Sequence, residues 1–172
     1  MKAVSNAGPL IALGKLGQLG LLLKLFDEVL IPREVHIEVV VNGLAIGAAD
    51  ASSVDFLIRE GHIGIKTITL PSPLPEWAQS IDMGEVEVIF LALQESADWV
   101  LIDNEHARKA ARQMGLHPKG TIGLLLNAFD KKHLSVREFE LLIHNIKAQP
   151  NLWISESLCD QALAKARGMP AS

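Results

Sequence analysis

The sequence predicts a three-layer α/β fold with a mostly parallel central sheet. Short apolar segments that read as buried strands alternate along the chain with longer segments of helical periodicity. Two of the strand segments end in polar residues, Asn6 and Asp103, and a helical pattern follows each of them. Ligands of open α/β sheets bind at the carboxyl ends of the strands, so we expect a functional site at this edge. The length of 172 residues fits a single domain, residues 1–172, with a core of its own.

The strands are predicted from short runs of apolar and β-branched residues bounded by turn formers. The first run ends at Asn6, and Pro32 stops the second. Prolines crowd residues 70–79, which we therefore expect to be a surface connection. The predicted strands cover residues 2–5, 28–31, 64–68, 98–102, 117–119 and 152–154.

Helices are predicted where a capping residue or a proline precedes a periodic apolar stripe. The Gly- and Ala-rich residues 42–49 are expected to form a loop. The predicted helices run from Pro9 to Gly17, over 18–25, from Pro32, from Asp50 or Ser52 to Arg59, from Asp82, over 104–114, over 122–129, from Ser135 to Ile146 and from Ser155 to Ala166.

Composition limits the classes of function. The net charge of −4 comes from 16 Lys and Arg against 20 Asp and Glu, so bulk charge does not demand a nucleic-acid partner. Aromatic residues make up 5%, and Tyr is absent, which argues against a platform that stacks single-stranded bases. Cys159 is the only cysteine, so no disulfide framework or thiolate zinc site is expected within the chain. With no long apolar run for a membrane span, we expect a cytoplasmic protein.

Common nucleotide and hydrolase motifs are missing. The segment from Gly8 to Lys15 is one residue too long for a phosphate-binding loop, and Leu16 stands where that loop needs Ser or Thr. The glycines at 14, 17 and 20 do not have dinucleotide-binding spacing, and neither H-E-x-x-H nor G-x-S-x-G occurs. The acids are therefore the best candidates for chemistry.

Each candidate side chain also has an ordinary structural interpretation. Asp103 has the position of an N-cap, and Asp82 with Glu85 has the spacing of a capping box. Glu38 lies in an otherwise apolar helix and would by default point to solvent, while Asn6 would be a turn or cap residue. Taken one at a time, these residues do not predict a site.

Two arginines follow Asp103 on the next predicted helix. Arg108 and Arg112 are four residues apart and share one helical face. A solvated face is the simpler interpretation, and a phosphate clamp beside Asp103 is the functional one.

The blocks that carry these residues resemble, in order and spacing, those of PIN-domain proteins. The resemblance spans roughly residues 3–165, and its last block is similar to a prokaryotic, toxin-like branch that is often paired with antitoxins. No block is specific alone. The blocks are Val4–Leu13, Ile31–Val39, Met83–Ala92, Leu101–Arg108 and Gly120–Leu125.

The resemblance implies a metal-dependent ribonuclease. Asn6, Glu38, Glu85 and Asp103 match the positions whose side chains hold Mg²⁺ or Mn²⁺ in the family, with Glu38, Glu85 and Asp103 as the catalytic acids. Hard divalent cations take oxygen ligands, and a bound metal lowers the pKa of its water for attack on a phosphodiester. The family also implies an RNA substrate, an antitoxin as a possible protein partner, and a homodimer.

The sequence departs from the family at Asn6, where the first acid is usually Asp. A neutral amide oxygen leaves three formal charges in the site, so a second hypothesis is a degenerate, non-catalytic PIN-like protein that binds RNA or a protein partner. A third hypothesis is a flavodoxin-like signalling domain with an acidic magnesium pocket. That class places paired acids near the end of its first strand, where this chain has Ser5 and Asn6.

Overall fold

The computed structural model describes residues 1–152 and 154–168. These residues fall into two compact units, Met1–Gly120 and Thr121–Ser172, which are described separately below. The prediction of a single domain over 1–172 therefore stays a prediction.

The first unit is built on a sheet of parallel strands. The strands lie in the order β3-β2-β1-β4-β5, and within the described residues all pairings between these five are parallel. The predicted α/β class and parallel sheet are confirmed. The strands are β1 Lys2–Ser5, β2 Glu28–Pro32, β3 Ile63–Lys66, β4 Trp99–Leu101 and β5 Pro118–Lys119. The strand predicted at 152–154 falls on Trp153, which lies outside the described residues.

Helices connect the strands and cover the sheet. The segment Ile37–Asn42 is a π-helix, and Glu76–Ser80 is a short 3₁₀ helix. The α-helices of this unit are α1 Ala7–Lys15, α2 Gly20–Leu25, α3 Arg33–His36, α4 Gly43–Ala45, α5 Ala49–Arg59, α6 Met83–Gln94 and α7 Glu105–Gln113. Glycines with positive φ end α1 and α7 at the predicted places, with φ of 66° at Gly17 and 78° at Gly115.

The order in which strands are added to the sheet reverses between β1 and β4. From β1 the chain adds β2 and β3 on one side, and β4 and β5 are then added on the other side. Because parallel crossovers are right-handed, opposite directions place the connecting helices on opposite faces of the sheet. The central strands are therefore covered on both faces, and Val4, Ile31 and Val100 have no exposed surface.

The leucine-rich segment before β2 belongs to the core. Leu21, Leu22 and Leu25 are each at most 3% exposed, so their side chains pack inside the unit. Leu23, on the outer side of α2, is 38% exposed.

The prediction of a loop over 42–49 holds only for residues 46–48 and is wrong for the rest, which is helical. α4 occupies part of this segment, and α5 begins after Ala48, so neither Asp50 nor Ser52 is its N-cap. A Cβ added to Gly43 would lie 2.6 Å from the Cβ of Ala51 on α5. Gly43 therefore serves the approach of two helices, whereas Gly47, with φ of 73°, lies in the turn between them.

The second unit consists of helices packed on one another. Ser135 and Ser155 cap the helices that follow them, as predicted, and Ser135 also forms a capping box with Glu138. The rings of Phe129 and Phe139 lie 5.3 Å apart, and Phe139 is fully buried. The helices are α8 Thr121–Asp130, α9 Val136–Ala148 and α10 Glu156–Ala166. Across both units, none of the described helices has the length and apolar character needed to cross a bilayer.

Candidate active site

The site lies where the two central strands deliver polar residues to one edge of the sheet. Ser5 pairs with Leu101 in the parallel register of β1 and β4, and the backbone N–H of Asn6 donates to the Leu101 carbonyl at 2.9 Å. Asn6 and Asp103 thus leave neighbouring strands at their carboxyl ends. This is the point at which the strand order reverses, the usual ligand-binding position of open α/β sheets.

Two glycines bound the carboxylate of Asp103. A Cβ built on Gly8, in the first turn of α1, would lie 3.3 Å from Asp103 Oδ2. A Cβ built on Gly120, just after β5, would lie 2.8 Å from Asp103 Oδ1. Asp103 is half-buried, and a side chain at residue 120 would collide with its carboxylate while one at residue 8 would crowd it.

Asp103 is not the N-cap of α7, contrary to its ordinary structural interpretation. Asn104 is the cap, and its side-chain oxygen accepts from the backbone N–H of His106 at 2.8 Å and of Ala107 at 3.3 Å. Because the neighbour satisfies the helix terminus, capping does not account for the acid at 103.

Arg108 holds the turn between β4 and α7. Its guanidinium donates to the backbone carbonyls of Asp103 and, at 3.4 Å, Ile102. It also lies against Gly120, where an added Cβ would be 3.3 Å from Nη1. Arg112, on the last turn of α7, is exposed. The structure thus gives Arg108 a role in positioning the turn, and phosphate contact by Arg108 and Arg112 stays a prediction.

Asn6 and Glu38 both approach the start of α6. A Cβ built on Gly84 would lie 3.8 Å from Asn6 Oδ1 and 3.9 Å from Glu38 Oε2. The end of β1, the segment after α3 and the first turn of α6 therefore bring side-chain oxygens to one place. Glu38 is exposed as a whole residue, but burial of its carboxylate raises its pKa, and the charge of Asp82 raises it further.

A π-helical segment carries Glu38. Residues Ile37–Asn42 follow α3 without a break, and Val39 and Val40 on the same segment are buried. Isolated π-turns are rare and frequently occur at functional sites. The predicted helix is present here, and within it Glu38 is exposed while the adjacent valines are buried.

Glu85 is a buried acid whose carboxylate also caps the start of α6 by a hydrogen bond. It is 5% exposed, and its Oε2 accepts the backbone N–H of Asp82 at 3.3 Å, so the predicted capping box is present. Burial raises the pKa of Glu85 despite that hydrogen bond, and the nearby charges of Asp82 and Glu38 raise it further, while His106 lowers it. Capping alone does not explain an acid held among other acids.

Two residues of this neighbourhood were not predicted as part of the site. The sequence pattern indicates only a capping role for Asp82, and it does not single out His106. Both interact electrostatically with Glu85. His106 carries no sequence signal for this placement, since its approach depends on the packing of α7 near α6.

The donor set suits a hard divalent cation in its chemistry. Asn6, Glu38 and Glu85 offer oxygen atoms, and burial, followed by nearby negative charge, raises the pKa of both acids. Within residues 1–152 and 154–168, no three Asp, Glu, His or Cys side chains are close enough together to form a ready chelate. Mg²⁺ commonly binds through one or two carboxylates and keeps several waters, which is compatible with this arrangement.

Comparison with known proteins identifies the family. The sequence model of a family described as a PIN domain (DUF3368) matches residues 2–168. The chain belongs to the PIN-domain family. This match covers nearly the whole sequence and agrees with the predicted resemblance, while membership of the toxin-like branch stays a prediction. A PIN domain is a nuclease-type fold, and PIN domains generally use divalent metal ions.

A similar solved structure adds no functional detail. It is a domain of a functionally unknown protein from Methanocaldococcus jannaschii DSM 2661, with 20% identity and a TM-score of 0.46. The similarity covers 69% of this PIN-domain chain and 89% of the other. No curated protein matches the sequence.

Proposed function

We propose that this PIN domain is a metal-dependent ribonuclease that hydrolyses RNA phosphodiester bonds. The observation that supports the proposal most is the convergence of oxygens from separate elements beside Gly84, at the edge where Asp103 also emerges. Burial and neighbouring negative charge raise the pKa of both Glu38 and Glu85, and a cation would compensate that charge. A bound Mg²⁺ or Mn²⁺ would supply an activated water and stabilise charge on the phosphate.

Each side chain of the site has a separate role in this proposal. Glu38 and Glu85 hold the cation with charged oxygens, and Asn6 adds a neutral one. Asp103, between Gly8 and Gly120, would orient the attacking water by accepting a hydrogen bond from it. Arg108 keeps Asp103 in place by bonding the backbone of the turn.

The biological role we propose is that of the toxin in a toxin–antitoxin pair, in the cytoplasm. Exposed apolar side chains support a protein partner: Val41, Leu44, Ile46 and Phe56 are 50%, 42%, 84% and 60% exposed. They lie on the π-helical segment, α4, its following turn and α5, which pack together. An antitoxin or a second copy of the chain, forming a homodimer, would bury them.

RNA cleavage by purified protein in the presence of Mn²⁺ tests the activity. Asp103→Asn keeps the size of the side chain and removes its charge, so we expect cleavage to fall by about 100-fold or more, the scale on which essential catalytic groups act. Asp98→Asn is the matched control, because Asp98 precedes the same strand at its opposite end and accepts the Lys2 N–H at 2.7 Å. Equal cleavage by the wild type and Asp103→Asn would contradict the proposal.

A degenerate, non-catalytic PIN-like protein is the second candidate, and Asn6 favours it. The amide places a neutral oxygen beside Glu38 where a carboxylate would strengthen cation binding. Under this alternative, wild-type protein does not cleave RNA, and Asn6→Asp tightens Mn²⁺ binding and begins cleavage. Robust cleavage by the wild type would exclude it.

A further inference from the structure

A small space lies beside the first turn of α6, next to oxygen atoms of the candidate site. Gly84 is the second residue of α6, and a Cβ at that position would lie 3.8 Å from Asn6 Oδ1 and 3.9 Å from Glu38 Oε2. Among the described residues, leaving out its chain neighbours and its own helix backbone, no other heavy atom lies within 4 Å of that Cβ. One amide oxygen and one carboxylate oxygen therefore bound the space.

The metal-free chain does not need glycine at this position. The two distances are ordinary van der Waals contacts, so an alanine methyl would fit without moving Asn6 or Glu38. Gly84 does not have one of the positive φ angles that favour glycine, and alanine is the better helix former by about 1 kcal/mol. Neither backbone conformation nor packing explains the glycine.

We propose that Gly84 is a positioning residue whose missing side chain reserves room for the water shell of the cation between Asn6 and Glu38. This inference rests on the proposed metal-dependent function. Mg²⁺ and similar ions keep several waters when few protein ligands hold them, and those waters need volume beside the ligand oxygens. A methyl group at residue 84 would occupy that volume and displace the waters.

Gly20 provides a matched control elsewhere in the unit. It is the first residue of α2, and a Cβ built there would meet no heavy atom within 4 Å. Gly20→Ala makes the same chemical change near the start of a helix, in open space. It therefore measures the effect of the substitution without the site.

Isothermal titration calorimetry with Mn²⁺ tests the inference on the full-length wild type, Gly84→Ala and Gly20→Ala. We expect Gly84→Ala to weaken Mn²⁺ binding by about 10–100-fold, the range found when groups behind metal ligands are changed. Its metal-free melting temperature should equal or exceed that of the wild type. Gly20→Ala should bind Mn²⁺ as the wild type does.

The outcomes separate this inference from the proposed function. Wild-type binding with unchanged binding by Gly84→Ala would overturn the inference and leave the proposed function standing. A lower metal-free melting temperature for Gly84→Ala would also overturn the inference, because the methyl would then be meeting protein rather than water. A wild-type chain that binds no Mn²⁺ would overturn both.

Discussion

Single residues of the site combine a local structural role with a collective electrostatic one. Glu85 accepts the Asp82 N–H as part of a capping box, yet its pKa is raised by burial and by the neighbouring acids Asp82 and Glu38. The sequence predicts the capping bond from a three-residue spacing. It does not reveal the neighbouring acid at 38, which depends on the packing of separate elements.

The neighbours Asp103 and Asn104 show a similar limit. Both are good N-cap residues, and the sequence alone does not decide which one caps the helix. The structure assigns the cap to Asn104, whose oxygen accepts two backbone N–H groups. Asp103 is thereby placed one residue earlier, at the edge of the sheet, where the family resemblance puts a catalytic acid.

Glu85→Gln separates the two roles of the residue. Glutamine keeps an oxygen that accepts the Asp82 N–H and removes the charge that nearby acids oppose. We expect the metal-free melting temperature at pH 7 to rise, by about 2–4 °C for each kcal/mol of repulsion relieved, and stabilisation by Mn²⁺ to be lost. Thermal melting with and without Mn²⁺ measures both effects.

Glu138→Gln is the control for that experiment. Glu138 occupies the same third position in the capping box of α9, where it is exposed and bonds Ser135. We expect no change in the response to Mn²⁺. A lower metal-free melting temperature for Glu85→Gln than for Glu138→Gln would contradict the role of Glu85 in an acid cluster.

The raised pKa values also predict how stability varies with pH. Above the ordinary pKa of 4.5, the folded protein holds the protons of Glu38 and Glu85 more tightly than the unfolded chain does. Their contribution to the free energy of unfolding therefore falls as pH rises from 4.5 through the raised pKa values. Urea denaturation of metal-free protein between pH 5 and 7 should show a smaller decline in Glu85→Gln than in the wild type. An identical pH dependence would contradict the burial effect at Glu85.

At the scale of elements, the hydrophobic pattern and the helix caps predict most helices and strands of both units. Packing explains where the prediction of an element is wrong. The strands and the helices that begin at Asp82, Ser135 and Ser155 follow from local signals that agree with the fold. The segment 42–49 does not, because glycine and alanine signal both loops and close helix contacts. The π-turn at Ile37–Asn42 is also absent from the pattern, since its apolar residues fit an α-helix equally well.

Gly43→Ala tests the close contact between α4 and α5. Helix propensity alone would stabilise the variant by about 1 kcal/mol. The added Cβ would lie 2.6 Å from the Cβ of Ala51, and overpacking of this kind costs about 1–3 kcal/mol. We expect net destabilisation in urea denaturation, and recovery when Ala51→Gly is combined with Gly43→Ala. A more stable single variant would mean that residues 42–49 form a loose segment.

At the scale of the whole molecule, the parallel sheet and its reversal of strand order decide where chemistry is placed. The alternation of strands and helices predicts this architecture and the edge at which Asn6 and Asp103 emerge. It does not predict that Glu38 and Glu85 join that edge, because their approach depends on how α3, the π-helical segment and α6 pack. The PIN-family resemblance supplied that expectation. Oxygens of Asn6 and Glu38 both lie near Gly84, while a common site with Glu85 and Asp103 stays a prediction.

Anomalous diffraction from a crystal of the full chain soaked in Mn²⁺ tests the central claim most directly. We expect a peak within about 2.5 Å of oxygen atoms from Glu38 and Glu85, with Asn6 and Asp103 contacting the ion directly or through its waters. A crystal of Glu85→Gln treated in the same way should show a weaker peak. The absence of a peak at this edge in the wild type, or a peak held only by other residues, would contradict the account.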